Sequence, residues 1–313
     1  MKVIYDIKHI GKRFKPTAVT VGVFDGVHIG HKKIIENLTG RAIKNRLQAT
    51  VVTFNPHPNK ALKGDSAVSM LSSLQHRISL IRSLGVDICV ILNFNKGLSG
   101  KKADYFFKSI LIDKFHMREL VIGGKFSFGK ERLHDERCLK EMADYLNFKL
   151  KIIKPMLYKG NIISSTMIRR LVEDGRLETA SRLLGRRVSV LGTVIHGRKR
   201  GRIIGFKTAN IDPHHEAIPP GGVYAVYARL NNKIYKAVLN IGRRPTFDEK
   251  EHSVEVYIFG INKDLYGKDI EVYFIKRLRP EKRFKNEQAL RNQILNDVEI
   301  AKIVLKSTPL KYS

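Results

Sequence analysis

His28 and His31 are the residues of this sequence with the clearest potential for chemistry, and they lie in the stretch GVFDGVHIGHKKII that begins at Gly22. They follow an Asp–Gly turn, where an apolar run gives way to a helical pattern. The N-terminus of a helix offers unpaired backbone N–H groups and the positive end of the helix dipole, and both attract anions. Two imidazoles would add donors, and Gly30 between them lets a backbone approach closely. The spacing therefore favours a phosphate-binding site.

Two other interpretations of the histidine pair stay open. His57, in the segment FNPHP, is a candidate third ligand for a metal ion, because a protein metal site needs at least three ligands and supporting hydrogen bonds. A single histidine is most often part of the core. On chemistry alone we place phosphate binding ahead of metal binding, and both ahead of a core role.

A second candidate phosphate site is the stretch ISSTMIRR, which begins at Ile163 and opens another helical pattern. Ser164 or Ser165 can cap that helix and offer hydroxyl groups, and Arg169 projects one turn further along. Taken alone, the stretch is better explained as an ordinary helix cap with a surface arginine. Two such helix N-termini facing one crevice favour phosphate binding.

The elements that must position these residues alternate between strand and helix in the first half of the chain. The predicted strands are Ala18–Phe24, Ala49–Phe54, Val86–Phe94, Leu120–Gly124 and Lys149–Pro155. The predicted helices are Gly30–Lys44, Leu74–Leu84, Ala103–Phe115 and Glu136–Leu146. This alternation predicts an α/β domain with a parallel sheet covered on both faces. Ligands bind such sheets at the carboxyl ends of the strands, and Gly22–His31 lies at such an end.

The hydrophobic pattern changes to a period of two after Arg187, which predicts an all-β domain. The predicted strands are Val188–His196, Gly222–Leu230, Lys233–Ile241, Ser253–Phe259 and Ile270–Leu278. Asn231–Asn232 forms a tight hairpin turn between two of them, and a helix over Glu287–Leu305 closes the domain. We therefore predict two domains, residues 1–186 and 187–313, the second a small antiparallel barrel with a C-terminal helix.

Composition excludes several classes of protein. The longest apolar stretch is short and contains Asp87, so it cannot span a membrane, and the N-terminus has no signal-peptide pattern. The isolated Cys89 and Cys138 fit a reducing cytoplasm better than a disulfide scaffold. The net charge of +29 suggests nucleic acid as a partner, but the lysines and arginines are spread along the chain without a recognisable binding module. We predict no membrane association and no specific nucleic-acid partner.

The motifs together resemble a known family. HxGH with a downstream ISSTxIR is similar to the nucleotidyltransferase superfamily. The fuller set VGVFDGVHIGH, TFNPHP, ISSTMIRRLVEDG and LLGR resembles the bacterial bifunctional riboflavin kinase/FMN adenylyltransferase (FAD synthetase) family. GRIIGFKTAN, GVYA, NIGRRPTF and DLYG in the second half resemble its kinase domain. The resemblance implies a Rossmann-like nucleotidyltransferase domain followed by a riboflavin kinase barrel.

For the first domain, the resemblance implies that FMN reacts with ATP to give FAD and pyrophosphate. It assigns catalytic roles to His28, His31 and Arg169. Residues implied in binding ATP and its phosphates are Gly22, Phe24, Asp25, Gly30, Ser164, Ser165 and Thr166. Residues implied in binding the flavin are Asn55, Pro56, His57, Lys125, Phe126 and Phe128.

For the second domain, the resemblance implies phosphorylation of riboflavin by another ATP. Glu255 is then the base that accepts the proton of the riboflavin hydroxyl. Thr208 and Asn210 are implied ligands of Mg²⁺, and the loop containing Gly197, Gly201 and Gly205 covers the nucleotide. ATP is a substrate, FMN is an intermediate, and no zinc is expected.

Three residues depart from the family pattern. Lys125 stands where an acidic or amide residue is usual, Lys207 replaces the proline of GFPTAN, and Tyr257 occupies a place where histidine is common. Three alternatives follow: a relative with one activity, of which the kinase is favoured, another nucleotidyltransferase, or a basic nucleic-acid-binding protein on the same scaffold.

Overall fold

A computed structural model of the chain describes residues 1–5, 15–58, 61, 69–124, 126, 135–196, 206–243 and 252–310, with the backbone alone at Arg243 and His252. The chain divides into two compact units. The first comprises Met1–Val68 and Leu74–Ser165, and the second comprises Ser69–Ser73 and Thr166–Ser313.

A six-stranded parallel sheet organises the first unit. Its strands are β1 (Lys2–Tyr5), β2 (Thr17–Val21), β3 (Gln48–Asn55), β4 (Ile88–Asn93), β5 (Met117–Gly123) and β6 (Lys149–Ile153). Their order across the sheet is β1-β4-β3-β2-β5-β6, and every neighbouring pair is parallel. The chain runs from β2 to β3 and β4 on one side and returns to β5 and β6 on the other. The point between β2 and β5 is therefore a topological switch point, where open α/β sheets bind ligands.

Helices connect these strands. They are α1 (Ile29–Asn45), α2 (Leu74–Arg82), α3 (Lys96–Ser99), α4 (Ala103–Tyr105) and α5 (Glu136–Tyr145), and a two-stranded hairpin of β7 (Leu157–Tyr158) and β8 (Asn161–Ile162) follows β6. The predicted helix Ala103–Phe115 is only partly α-helical, because Phe106–Ile112 winds as a π-helix. In this winding Phe106, Phe107, Ile110 and Leu111 are all buried.

Both faces of the parallel sheet carry a hydrophobic core. Val19, Val52, Val90 and Leu120 belong to one core, and their strand neighbours Ala18, Val51, Cys89 and Val121 belong to the other. This alternation places successive side chains on opposite faces, as β geometry requires. The predicted α/β class, with a parallel sheet buried on both sides, is confirmed.

A closed antiparallel barrel forms the centre of the second unit, in the order β10-β13-β12-β11-β14-β9. Its strands are β9 (Ser189–Ile195), β10 (Ala209–Asp212), β11 (Gly222–Leu230), β12 (Lys233–Arg243), β13 (His252–Ile258) and β14 (Asp269–Arg279). Asn231 and Asn232 have φ values of 48° and 64°, which a two-residue hairpin turn requires. A Cβ atom at Gly192 would overlap Ile211 and the carbonyl of Asp212, so the β9–β10 approach requires glycine there. The predicted barrel is confirmed.

Three further helices follow the parallel sheet in the described part of the chain: α6 (Ser165–Glu173), α7 (Leu177–Leu184) and α8 (Glu287–Ser307). The C-terminal helix α8 packs Val298, Ala301 and Leu305 against barrel residues that include Val223 and Tyr227. The Tyr227 hydroxyl donates to the carbonyl of Leu305 at 2.6 Å. The predicted C-terminal helix is therefore present and is fixed to the barrel by both apolar and polar contacts.

A short segment from the first half of the sequence, Ser69–Ser73, belongs to the second unit. Met70 forms a parallel bridge with Glu216, and its backbone N–H donates to the carbonyl of His215 at 2.9 Å. The buried Glu216 carboxylate accepts the N–H of Ser73 at 2.7 Å and of Leu191, in β9, at 3.1 Å. We call Ser69–Ser73 the inserted segment.

Candidate active sites

A tight turn after β2 directs the chain into helix α1. Phe24, Gly26 and Val27 have φ values of 53°, 74° and 38°, which is unusual for Phe and Val. A Cβ atom at Gly22 would lie 3.0 Å from the Phe24 ring, so glycine there leaves space for that ring. The buried Phe24 ring contacts the His31 ring edge-on, with 5.2 Å between centroids. The turn is therefore fixed by packing against the second histidine.

The two histidines form one stacked pair. Their ring centroids lie 3.7 Å apart with an interplanar angle of 19°. His28 is also the N-cap of α1, and its Nδ1 accepts the backbone N–H of His31 at 3.4 Å. A Cβ atom at Gly30 would lie 3.1 Å from the His28 ring, so the space beside Gly30 is taken by that imidazole. Both rings are thereby held at the N-terminus of α1.

His31 is neutral at physiological pH. Burial lowers its pKa well below the ordinary value, and the positive charges of His28 and Arg77 act in the same direction. Its Nδ1 is buried and has no hydrogen-bond partner among the described residues. An anion bound nearby would favour the protonated form, because opposite charge raises the pKa of a histidine. The ring can thus respond to a phosphate as either a neutral donor or a cation.

A cavity of about 260 Å³ lies beside the histidine pair. Its walls come from the N-terminal part of α1, from the carboxyl ends of β5 and β6 and from the segment before α6. The lining residues are His28, Gly30, His31, Ile34, Gly123, Gly124, Ile153, Lys154, Pro155, Met156, Ile162, Ile163, Ser164 and Ser165. The Ser165 hydroxyl donates to the carbonyl of Asp25 at 3.0 Å, which joins the start of α6 to the turn. The cavity therefore combines an apolar wall, to which Ile153 and Ile163 belong, with polar side chains from the histidine pair and two serines.

A second cavity, of about 370 Å³, opens on the barrel. It is lined by Val194, Ile195, His196, Lys207, Thr208, Ala209, Asn210, Val256, Ile258, Ile261, Lys263, Asp264, Leu265 and Tyr266. The rings of His196 and Tyr266 stack with centroids 3.8 Å apart. Lys207 Nζ donates to the carbonyl of Asn262 at 2.8 Å. The N–H of Tyr266 lowers the pKa of Asp264, and the charge of Lys207 adds to this effect.

Glu255 lies on β13 between two asparagines of neighbouring strands. Its Cα is paired in register with that of Asn210 on β10 and that of Asn240 on β12. Residues directly opposite each other in antiparallel strands share a face of the sheet. A carboxylate and two amides therefore lie side by side across three strands. Of these three residues, Asn210 lines the barrel cavity, and Glu255 and Asn240 are not among its lining residues.

Two family models match the chain, one for each half. The model described as FAD synthetase matches residues 11–167, and the model described as riboflavin kinase matches residues 184–305. A bifunctional riboflavin kinase/FMN adenylyltransferase of Buchnera aphidicola subsp. Schizaphis graminum is 39% identical over 96% of this chain and 98% of its own length. The chain belongs to the bifunctional riboflavin kinase/FMN adenylyltransferase family.

Other relatives of this family extend over a similar length. The bifunctional riboflavin kinase/FMN adenylyltransferase of Bacillus subtilis is 35% identical over 91% of both chains. A crystal structure described as a macrolide-efflux protein from Streptococcus pneumoniae is 30% identical, covers 96% of this chain and 99% of its own, and has a TM-score of 0.82.

Among the described residues, no helix has the length and apolar character needed to cross a bilayer.

The structure brings part of the predicted adenylyltransferase site of this family together. His28, Gly30, His31, Ser164 and Ser165 line one cavity, and Gly22, Phe24 and Asp25 form the turn beside it. Thr166 and Arg169 belong to helix α6 in the second unit, where Thr166 is exposed and Arg169 is buried.

The predicted flavin-binding residues are described only in part. Asn55 ends β3 and is exposed, and Pro56 and the half-buried His57 follow it. Phe126 packs edge-on against Phe107, with 6.5 Å between ring centroids. Lys125 and Phe128 lie outside the described residues, as do Gly197, Gly201 and Gly205 of the predicted kinase loop.

The described residues contain no group of three or more His, Cys, Asp or Glu side chains arranged to hold a metal ion. Thr208 and Asn210, the predicted Mg²⁺ ligands, line the barrel cavity together with Asp264. Hydroxyl, amide and carboxylate oxygens are the donors that Mg²⁺ prefers, and it commonly takes only one or two of them from the protein. The donor set of this cavity therefore fits the ion.

Several lining residues had no role in the sequence prediction. Lys154 and Met156 follow β6, and His196, Lys263 and Asp264 surround the barrel cavity. The positions of Lys154 and Met156 at the carboxyl end of the predicted strand Lys149–Pro155 were a usable signal, since ligands bind at strand ends. His196, Lys263 and Asp264 are brought together by barrel closure, which depends on contacts between residues distant in sequence.

Proposed function

We propose that this chain phosphorylates riboflavin to FMN in its second unit and converts FMN to FAD in its first unit. A cavity among the described residues of the first unit is lined by His28, His31 and Ser165, and a cavity in the second unit is lined by Thr208 and Asn210. This observation carries the proposal, because the sequence assigns these residues to the corresponding reactions. The substrates are riboflavin, FMN and ATP. The proposed location is the cytoplasm, and no specific nucleic-acid partner is proposed.

In the adenylyl transfer, a phosphate oxygen of FMN forms a bond to the α-phosphorus of ATP. The bond from that phosphorus to the β-phosphate bridging oxygen breaks, and pyrophosphate leaves. The attacking oxygen is already ionised, so the protein needs to supply position and charge neutralisation rather than a base. His28 and His31 at the N-terminus of α1 are suited to hold the polyphosphate, and the cavity wall near Ile153 and Met156 suits an apolar ring.

The remaining residues proposed for this site act around the same step. Ser164 and Ser165 line the cavity, and Gly22, Phe24 and Asp25 shape its turn. Thr166 and Arg169 of α6 are also proposed for this reaction, because the sequence motif contains a hydroxyl and a cation at these positions. The proposed flavin-binding residues come from segments after β3 and β5. They are Asn55, Pro56, His57, Lys125, Phe126 and Phe128.

In the kinase reaction, the 5′-hydroxyl oxygen of riboflavin forms a bond to the γ-phosphorus of ATP and loses its proton. The bond from that phosphorus to the β,γ-bridging oxygen breaks, and ADP leaves. Glu255 is proposed to accept that proton, since Asn210 and Asn240 flank it and can orient the carboxylate. Mg²⁺, proposed to be held by Thr208 and Asn210, neutralises the charge of the phosphates when bound. The loop containing Gly197, Gly201 and Gly205 is proposed to cover the nucleotide.

The test separates the two activities in the full-length protein, supplied with riboflavin, ATP and Mg²⁺. Replacing both His28 and His31 by Ala should lower the rate of FAD formation at least about 10²-fold, because donors to the polyphosphate are lost. FMN should then accumulate. Glu255→Gln should slow riboflavin phosphorylation by about 10²–10⁴ while added FMN still becomes FAD. The flavins are resolved by chromatography.

The controls for this test are Lys33→Gln on α1 and Ser253→Ala on β13, which should leave both activities near wild type. Loss of both activities in the folded histidine variant would contradict the assignment of those residues to one reaction. If zinc co-purifies with the wild-type protein and is absent from the histidine variant, the histidines bind a metal ion rather than phosphate. If the wild-type protein makes FMN but no FAD, the chain has kinase activity alone and the proposed adenylyltransferase activity is wrong.

A further inference from the structure

Arg77, on helix α2, is a buried cation that the two proposed reactions do not use. Its side chain is 2% exposed. Its Nε is buried without a hydrogen-bond partner among the described residues, and the buried carboxyl group of Asp25 acts favourably on its charge. A buried guanidinium is costly, because it gives up its hydration. Such a residue needs a reason that packing alone does not supply.

The guanidinium joins the carboxyl ends of two adjacent strands. Its Nη1 donates to the carbonyl of Val23 at 2.6 Å, and its Nη2 donates to the carbonyl of Phe54 at 3.1 Å. The ladder between β2 and β3 ends where the N–H of Gly22 meets the carbonyl of Val52 at 3.0 Å. Arg77 therefore continues the link between the strands beyond the last hydrogen bond of the sheet.

Both strand ends lead directly into segments of the proposed FMN adenylyltransferase site. Val23 begins the strained turn of Phe24, Gly26 and Val27 that presents the histidine pair. Phe54 is followed by the proposed flavin-binding residues Asn55, Pro56 and His57. Arg77 thus links the segment proposed to hold the polyphosphate to the segment proposed to hold the flavin, and the Thr53 hydroxyl, which donates to the same Val23 carbonyl at 3.0 Å, adds a second link.

The charge of Arg77 also reaches the histidines. It is one of the positive groups that lower the pKa of His31, together with His28. Burial lowers the pKa of Arg77 itself, and Asp25 acts in the opposite direction. A guanidinium stays protonated through such changes at neutral pH. It is a fixed positive charge behind the site where a polyanion is proposed to bind.

We propose that Arg77 is a positioning residue for FAD formation, which holds the carboxyl ends of β2 and β3 together and adds a fixed positive charge behind the histidine pair. This inference rests on the proposed adenylyltransferase function of the first unit. It explains why an arginine rather than an apolar residue occupies a position that is almost completely buried.

The test compares three variants of the full-length protein. Arg77→Met keeps the volume but removes the charge and both hydrogen bonds, and it should lower kcat for FAD formation by about 10²-fold with a smaller change in KM, since misplacement of about 1 Å has such an effect. Arg77→Lys keeps the charge and should recover part of this loss. Arg82→Met, an exposed change on the same helix, should match wild type. Riboflavin phosphorylation should be unchanged in all three.

A second readout does not depend on activity. The pKa of His31, followed by NMR of the imidazole protons, should rise in Arg77→Met and stay near the wild-type value in Arg77→Lys. The groups that act on His31 are His28 and Arg77, and only the second is changed. Circular dichroism reports whether each variant is folded.

The possible outcomes separate this inference from the proposed function. A folded Arg77→Met variant with wild-type FAD formation would overturn it, as would equal losses in the Lys and Met variants with no shift at His31. If Arg77→Met does not fold, Arg77→Lys is used for the same test. It should then lower kcat for FAD formation and leave riboflavin phosphorylation unchanged, and wild-type FAD formation in this variant would overturn the inference. If wild type forms no FAD, the proposed function fails, and the shift at His31 still decides whether Arg77 acts on the histidine.

Discussion

His31 combines two properties that rarely occur in one surface-accessible histidine: a strongly lowered pKa and a buried Nδ1 without a hydrogen-bond partner among the described residues. The stacking on His28 and the contact with Phe24 account for its burial. The free protein therefore holds a neutral ring where the bound polyphosphate would favour a charged one. This difference couples protonation both to ligand binding and to folding.

The lowered pKa of His31 predicts a pH dependence of stability. The unfolded chain binds a proton at His31 below about pH 6.5, whereas the folded chain does not until its lower pKa is reached. Stability is therefore fully present above about pH 6.5 and falls as the pH decreases, with a slope of at most about 1.4 kcal/mol per pH unit from this residue. The free energy of unfolding in urea, measured between pH 8 and pH 5, gives the slope.

His31→Gln should reduce that slope by up to this amount. Lys33→Gln, an exposed change on the same helix that removes no imidazole, should keep the wild-type slope. An identical slope in wild type and His31→Gln would show that the folded state does not hold His31 neutral.

Residue types and spacing were sufficient to predict that the histidine pair lies at the start of a helix. The pattern is local, because a strand, a glycine-containing turn and the first residues of the helix follow one another within a short stretch of sequence. Arg77 could not be predicted in this way. It lies in the pattern of an amphipathic helix, where an arginine is normally exposed. Its burial follows from the strand ends that it meets, and these are 54 and 23 residues away in sequence.

At the scale of elements, a largely buried ion pair adds to the apolar contact between β14 and α8. Both Nε and Nη2 of Arg279 donate to the Asp297 carboxylate, at 3.0 Å and 2.8 Å, and Gln293 donates to it at 2.9 Å. The side chain of Asp297 is 3% exposed and that of Arg279 is 19% exposed. Removal of one partner from such a pair leaves a desolvated charge behind.

Asp297→Ala should therefore lower the free energy of unfolding of the second unit by roughly 3–5 kcal/mol. Glu299→Ala, which removes an exposed partner of Lys302 on the same helix, should change it by less than about 0.5 kcal/mol. Urea unfolding followed by circular dichroism measures both. Equal effects of the two variants would mean that apolar packing alone holds α8 on the barrel.

The sequence predicted the long periodic elements and missed the short ones. β1 and β10 have four residues each, too few for an alternating pattern to stand out. The predicted strand Ala18–Phe24 ends at Val21, because the left-handed conformation of Phe24 turns the chain out of the sheet. Barrel closure through β10 depends on pairing with both β9 and β13, which are distant in sequence.

At the scale of the whole molecule, the net charge of +29 acts on two anionic substrates, ATP and FMN. A positive field raises the encounter rate of anions, and salt screens it over about 10 Å at 0.1 M. Attraction of anionic substrates is therefore a use for the positive charge that does not require a nucleic-acid partner. Riboflavin is uncharged and gains nothing from it.

We propose that residues 1–186 and 187–313 each fold when expressed alone, since each half has its own sheet and core. A fragment of residues 166–313 should be more stable than 187–313. It retains α6 and α7, including the buried Ala180 and Leu183 and the Ser181 hydroxyl that accepts the N–H of Val188 at 3.1 Å. Urea unfolding of the fragments checks the order of stability. An unfolded 187–313 fragment would place the boundary earlier in the chain.

The inserted segment has a consequence for the order in which the protein is made. Ser73 and its acceptor Glu216 are 143 residues apart. At a synthesis rate of 5–20 residues per second, the segment waits for about 7 to 30 s before Glu216 has been added to the chain. During this interval the strands of the parallel sheet can form on the ribosome, whereas His215 and Glu216, which accept the backbone N–H groups of Met70 and Ser73 in the folded protein, have not yet been added to the chain. A chaperone that binds nascent chains would therefore find this segment exposed until translation has passed the start of the barrel.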